Sequence, residues 1–184
     1  QHLAEAETDA TFHFEIKADL LTENVLNFLK TVPKGRFQFE IGVQTTNAAT
    51  LKAINRRDNW EKLTANVKRL LSYGNIHLHL DLIAGLPYEG MAEFEKSFND
   101  VYGLQPDMLQ LGFLKVLPGT AMEKQRLEHE LRYMDEPPYE ILSTKYMPYC
   151  ALRFLKVLED VFEHTYNSGR FVYTLKYLTE AEGN

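Results

Sequence analysis

Four short runs of this chain are built like β-strands, and each is followed by a stretch with helical spacing. Phe12-His-Phe-Glu-Ile16, Phe37-Gln-Phe-Glu-Ile-Gly-Val43 and Ile76-His-Leu-His-Leu-Asp-Leu-Ile83 alternate apolar with polar or small residues; Met108 to Val116 is largely apolar. Their starts lie 25, 39 and 32 residues apart, which suits repeated βα units of roughly 30 residues. Right-handed crossovers between such units produce a parallel sheet. The expectation is therefore an α/β fold.

The intervening segments carry the matching helix signals. Thr22 to Lys30 reads as a short helix, with Thr22 as N-cap and Val25, Leu26 and Leu29 on one face. A turn at Pro33-Lys-Gly35 follows, and Ala48 to Ile54 forms a second short helix before the polar break Asn55 to Asn59. From Trp60, the residues Leu63, Val67, Leu70 and Leu71 fall on one face of a helix that Gly74 can terminate. Ala84-Gly-Leu-Pro87 is a turn, and Met91 to Tyr102 is a helix with Phe94, Phe98 and Val101 inward; Leu117-Pro-Gly-Thr120 closes the fourth strand. After Gln125 the pattern changes. Pro137-Pro138 marks a hinge or helix start, Tyr139 to Tyr166 reads as helix kinked near Pro148, and Phe171 to Leu178 as a last helix beyond Asn167-Ser-Gly169.

Composition sets the class. With 45% hydrophobic and 25% charged residues, the 184-residue chain is ordinary globular material, neither disordered nor collagen-like. A net charge of −6 argues against a large nucleic-acid face. No apolar run reaches the roughly 18 residues of a membrane span, and the opening QHLAEAETDA lacks a signal-peptide pattern. The expectation is a cytoplasmic protein without a membrane partner. The one cysteine, Cys150, cannot form an internal disulfide or a Cys-rich metal site, and its aliphatic and aromatic neighbours predict a core position.

On the first three strands one alternate set is apolar, while the other contains His13, Glu15, Gln38, Glu40, Gly42, Gln44, His77, His79 and Asp81. Helices over the apolar set leave the opposite face as a polar wall. Glu15, Gln44, Asp81 and Lys115 then fall near the C-terminal strand ends, where parallel α/β folds bind ligands. Each also has an ordinary reading: solvated carboxylates at Glu15 and Asp81, a loop-satisfying amide at Gln44, a solvated loop at Asn55-Arg56-Arg57, a tight turn at Gly85 and Pro87. His77 and His79 share a face, and with His13 and Glu15 they could hold zinc or iron, as in a metal-dependent barrel hydrolase; satisfied barrel-interior histidines are the competing reading. His2, His129 and His164 belong to no such cluster.

Taken in order, five motifs resemble the radical S-adenosylmethionine (SAM) superfamily, in the branch of oxygen-independent coproporphyrinogen III oxidase, the methylthiotransferases and the cobalamin-domain members. They are Phe14-Glu-Ile16 with Ala18-Asp19; Phe39-Glu-Ile-Gly-Val-Gln-Thr45; Leu51-Lys-Ala-Ile-Asn-Arg56; Asp81-Leu-Ile-Ala-Gly-Leu-Pro87; and Leu114-Lys-Val-Leu-Pro-Gly-Thr120. The stretch through Asn167-Ser-Gly-Arg-Phe171 looks like the tail of cobalamin-associated members. The resemblance implies a partial (β/α) TIM-like barrel, with these strands as the third to sixth of six and a helical C-terminal extension. The division expected is 1–125 barrel and 126–184 extension. It also implies SAM contacts at Glu15, Gln44, Arg56 and Asp81. Arginine suits the methionyl carboxylate, and carboxylates suit the ribose hydroxyls and the ammonium. Ile83 and Gly85 would meet adenine, with Val116 and Leu117 over its other side.

The family's Cys-x3-Cys-x2-Cys motif, whose thiolates bind a [4Fe–4S] cluster, is missing from the 184 residues, and so is a Gly-Gly-Glu segment. The resemblance therefore implies a portion of a radical SAM Fe–S oxidoreductase, completed by an N-terminal part of the same chain and inactive alone. The intact enzyme would use SAM and the cluster, with cobalamin where an N-terminal domain supplies it, to abstract hydrogen from an organic substrate through a 5′-deoxyadenosyl radical. No catalytic or metal-binding residue is expected within this segment. An exposed strand edge predicts pairing or dimerisation. A noncatalytic binding module using the barrel cleft is the remaining alternative.

Overall fold

The computed structural model describes residues 2–182. Four parallel strands form one sheet in the order β1 (Phe12–Glu15), β2 (Phe37–Gln44), β3 (His77–Ala84) and β4 (Met108–Phe113). Sequential neighbours pair throughout, so the chain winds in one direction through successive βα units. The crossovers hold α1 (Glu23–Leu29), α2 (Ala48–Ala53), α3 (Trp60–Tyr73) and α4 (Met91–Tyr102). Side-chain caps start three of them: Thr22 accepts from the Val25 amide, Asn47 from Ala49 and Asn59 from Lys62. Each such cap removes a backbone donor that the helix cannot satisfy internally.

The core lies between sheet and helices. Leu78, Leu80 and Leu82 of β3, Ile41 of β2 and Leu109 of β4 are sealed against Leu26, Leu63, Val67, Leu70, Phe94 and Val101. Burial alternates strictly along β2 and nearly so along β3, which turns Gln38, Glu40, Gly42, Gln44, His79 and Asp81 to the other, partly open face. The two-residue period is thus realised as an apolar and a polar side of one sheet.

Beyond β4 the structure departs from the sequence expectation. β4 ends at Phe113, three residues early, because the chain leaves the sheet there; Lys115 then forms an isolated antiparallel bridge to Glu140. A short helix α5 (Ala121–Lys124) leads into the antiparallel pair β5 (Arg132–Tyr133) and β6 (Ile141–Ser143). The helix expected from Tyr139 therefore begins only at Tyr149, as α6 (Tyr149–Phe162). Pro148 is its N-cap, and Thr144 Oγ1 receives the Tyr146 and Met147 amides in a turn that helical backbone could not make. α6 widens into a π-helical turn at Glu163–Asn167 before α7 (Val172–Glu182), which runs past the expected end at Leu178.

Cys150 is exposed, contrary to the core position expected for it. α6 buries Leu152 and Leu155, and Cys150 lies outside that stripe. Among the described residues no helix is long and apolar enough to cross a membrane.

Candidate functional site

The polar side of the sheet is built by register. β2 and β3 pair Glu40 with His79 and Gly42 with Asp81, and β1 sets Glu15 beside Glu40. At the end of β2 the register slips between Gly42 and Gln44, and Gln44 takes a left-handed φ of 69°. Such a bulge re-aims a side chain at the price of a conformation few non-glycine residues adopt. Gly42 makes the space: a Cβ there would collide with the Gln44 amide nitrogen. The Gly-x-Gln sequence is therefore a local device for holding an amide over the strand ends.

A cavity of about 290 Å³ opens at this point, lined by Glu15, Ile16, Lys17, Glu40, Gly42, Gln44, Arg56 and Asp81. A second, of about 410 Å³, shares Glu40, Gln44 and Asp81 and continues past Ile83, Gln110, Phe113 and Lys115. The structure thus gathers Glu15, Gln44, Arg56 and Asp81 around one space and puts Ile83 in the next. Gly85 and Val116 line neither. Gly85 has φ 86°, and a Cβ there would lie 2.8 Å from Ile141 Cγ2, so it serves the turn after β3 and its packing on β6. Val116 is buried in the core.

Electrostatics divide the cavity into an anionic floor and a cationic rim. Asp81 Oδ1 is buried without a hydrogen-bond partner. Burial, then the charge and hydrogen-bonding proximity of Glu40 and the charge of Glu15, push the Asp81 carboxyl up to about 7. On the rim, Lys17 Nζ lies 2.6 Å from Asp58 Oδ1 and donates to Arg57 O at 3.1 Å. Arg56 donates to Asp58 and to the Gly42 carbonyl. Burial raises the Asp58 carboxyl, but hydrogen bonds and charge from Lys17 and Arg56 outweigh it and hold the group below its ordinary value. Asp58 therefore orients both cations, and sequence reading left it in a polar break because its partner Lys17 is 41 residues away.

At the lower end of the same face, His13 Nε2 is 3.1 Å from Glu40 Oε2, and Gln38 Nε2 is 3.0 Å from His79 Nε2. The His77 and His79 rings meet edge-on at 4.8 Å. Burial, with the charges of His77 and His13, lowers the His79 pKa. Among the described residues no group of three or more His, Cys, Asp or Glu is placed to hold a metal ion. His13 and His79 are partnered on this face while His77 is exposed, 3.8 Å from Asp107, and among the described residues the hydrolase alternative has no ligand set. A buried carboxylate also escaped the sequence reading: Glu89, fully buried, accepts from Thr45 Oγ1 and from Ser97 Oγ at 3.3 Å.

Comparison with known proteins agrees with this architecture. Residues 2–101 match the family described as the Radical SAM superfamily, and residues 127–184 match one described as Protein of unknown function (DUF4080). This chain belongs to the radical SAM superfamily. It is 26% identical over 152 residues to the oxygen-independent coproporphyrinogen-III oxidase-like protein HemZ of Bacillus subtilis, covering 79% of this chain and 30% of that protein. To the heme chaperone HemW of the same organism it is 29% identical over 138 residues, covering 73% and 36%. The chain thus spans about a third of the length of these relatives. The structure of coproporphyrinogen III oxidase HemN from Escherichia coli superposes with a TM-score of 0.60 at 23% identity, over 85% of this chain and 32% of that one. The radical SAM methyltransferase TsrM from Kitasatospora setae gives 0.61 at 14% identity, over 84% and 37%; the cobalamin in that structure belongs to TsrM. These likenesses support the radical SAM partial-barrel fold.

Proposed function

We propose that this chain supplies part of the SAM pocket and of the substrate-facing wall of a radical SAM oxidoreductase related to coproporphyrinogen oxidases. The observation that carries the reading is the gathering of Glu15, Gln44, Arg56 and Asp81 around one cavity whose floor holds a buried, partnerless carboxylate oxygen. The donor set fits the ligand. Asp81 and Glu15 offer acceptors to an ammonium and to ribose hydroxyls, while Arg56, oriented by Asp58, faces a carboxylate. Gln44, fixed by the bulge, can both donate and accept. Ile83 gives the neighbouring cavity an apolar wall for a ring. Bound SAM, with a [4Fe–4S] cluster, supplies hydrogen abstraction from an organic substrate; the residues described here bind, orient and exclude water.

With Cys150 as its one cysteine, this sequence cannot provide three thiolate ligands, so it is expected to be inactive by itself. Reconstitution with iron and sulfide should leave no stable [4Fe–4S] absorption. The binding reading is tested by calorimetry with SAM on the wild type, Asp81→Asn and Gln44→Asn. Asparagine tolerates the left-handed backbone at position 44, so that variant shortens the amide arm without breaking the bulge. Each substitution should weaken binding about tenfold, roughly 1.4 kcal/mol. Equal affinities in all three proteins would remove SAM from this cavity.

A further inference from the structure

α6 is apolar on two sides. Leu152 and Leu155 are buried against the rest of the chain. Cys150, Phe154, Val157 and Val161 lie on the opposite side: Cys150 is exposed, and each of the other three is at least half exposed. Their spacing of four, three and four residues places them in a stripe about 60° wide on a helix of 3.6 residues per turn. Single exposed apolar residues are ordinary, but a continuous stripe of them marks a contact surface. The same spacing forms the seam between two paired helices.

The charges beside the stripe specify which helix fits it. Arg153 and Asp160 are exposed on one flank, and the other flank carries the partly buried Ala151 and Leu158. Being seven residues apart, or roughly 10 Å along the axis, Arg153 and Asp160 cannot meet within one chain. Among the described residues Arg153 has no ion-pair partner, and Asp160 Oδ1 lies 3.6 Å from the exposed His164 ring. In a parallel pair of α6 helices the charged flank would face the apolar Ala151 and Leu158 of the second copy. In an antiparallel pair each flank faces its own equivalent. Phe154 then lies opposite the partner's Val157, Cys150 opposite the partner's Val161, and Arg153 opposite the partner's Asp160, each contact occurring twice by the two-fold symmetry.

We propose that the outer face of α6 joins two copies of this chain as an antiparallel helix pair, with Phe154 and Val157 at its centre. The apolar layers supply the affinity, and the exposed ion pairs fix direction and register. Two heptads bury less than the roughly 1,200 Å² of a standard interface, so the dimer is weak, of micromolar order. In dilute solution the chain is monomeric and Cys150 is open to reagents. The proposal is independent of the SAM reading, because no residue of α6 lines that cavity or its neighbour.

Sedimentation equilibrium of the 184-residue chain over a wide range of concentration should show monomer passing to dimer. Phe154→Glu, at an exposed position, should keep the wild-type circular dichroism and melting temperature and stay monomeric throughout. Arg153→Glu and Asp160→Arg should each weaken association about tenfold, and the double variant should recover wild-type affinity, its ion pairs restored with reversed sign. Mild oxidation should link Val161→Cys into a dimer through the partner's Cys150, but should not link the wild type, whose two Cys150 side chains lie at opposite ends of the pair. A chain monomeric at every concentration would overturn the proposal and leave the stripe to another segment or protein. A dimer that persists in Phe154→Glu would also overturn it, placing the contact elsewhere, such as the free edge of β1. A double variant that fails to recover, or a disulfide between two Cys150 in the wild type, would refute the antiparallel arrangement.

Discussion

Asn167 clasps Leu109: its Oδ1 accepts from the Leu109 amide at 3.1 Å and its Nδ2 donates to the Leu109 carbonyl at 3.0 Å. One side chain thereby supplies the hydrogen bonds that another strand would make to this point on the edge of β4. The same turn adds a hydrogen bond of the Tyr166 hydroxyl to the Pro106 carbonyl at 2.5 Å. The chain beyond α6 thus covers one sheet edge, the kind of feature that otherwise invites pairing. Asn167→Ala should cost about 1–3 kcal/mol in urea unfolding, the price of two lost hydrogen bonds with a backbone pair left facing apolar surroundings. Amide exchange at Leu109 should accelerate more than at Leu80.

Glu89 gives a pH-dependent prediction. Burial pushes its carboxyl up to about 7, against the hydrogen bonds from Thr45 and Ser97, while the unfolded value is near 4.5. Between these values the folded chain holds a proton that the unfolded chain has lost, so stability falls as pH rises through the interval and is flat above it. Glu89→Gln keeps an acceptor and removes the charge. It should flatten the slope and raise stability near pH 8 by up to about 3 kcal/mol, measured by unfolding at several pH values. A variant less stable than wild type at pH 8 would show that the ionised Glu89 carboxylate is favourably held and its pKa is not raised.

Two glycines separate backbone strain from crowding. Gly35, φ 77°, has open space where a Cβ would sit, whereas Gly85, φ 86°, meets Ile141 at 2.8 Å. Gly35→Ala should therefore cost only the left-handed penalty of about 1–2 kcal/mol. Gly85→Ala adds displacement of Ile141 and should cost about 1–3 kcal/mol more. Thermal melts of the two variants make the comparison; equal losses would mean that β6 yields freely.

Cys150 is exposed on the first turn of α6. A thiol reagent should modify one cysteine per chain in the native state, at a rate similar to that in denaturant. Protection until unfolding would return this cysteine to the core.

The repeated βα order, the two-sided strands and the Thr22 cap were legible in the sequence because each depends on residues close in the chain. Thr22 acts within three residues, and the apolar alternation of Phe37, Phe39 and Ile41 specifies a buried face directly. Of the seven predicted site residues, those on the strand ends converge, since register carries Glu15, Gln44, Asp81 and Ile83 together once the strands are parallel. Gly85 and Val116 line neither cavity, because Gly85 packs against Ile141 and Val116 lies in the core, contacts that motif order does not carry. The 139–148 segment failed for a related reason: a three-residue strand has no period, and its pairing partner was invisible without β5.

The sequence by itself determined a parallel α/β wall with a polar side and an apolar side, because period and spacing are properties of neighbouring residues. Only the tertiary structure decided that Asp58 would hold Lys17 and Arg56, that Glu40 would meet His13, and that Asn167 would close on Leu109. Asp58–Lys17, Glu40–His13 and Asn167–Leu109 join residues 27 to 58 positions apart, across different elements. A charge or an amide finds its partner through space, and the fold chooses that partner when it packs one βα unit against the next.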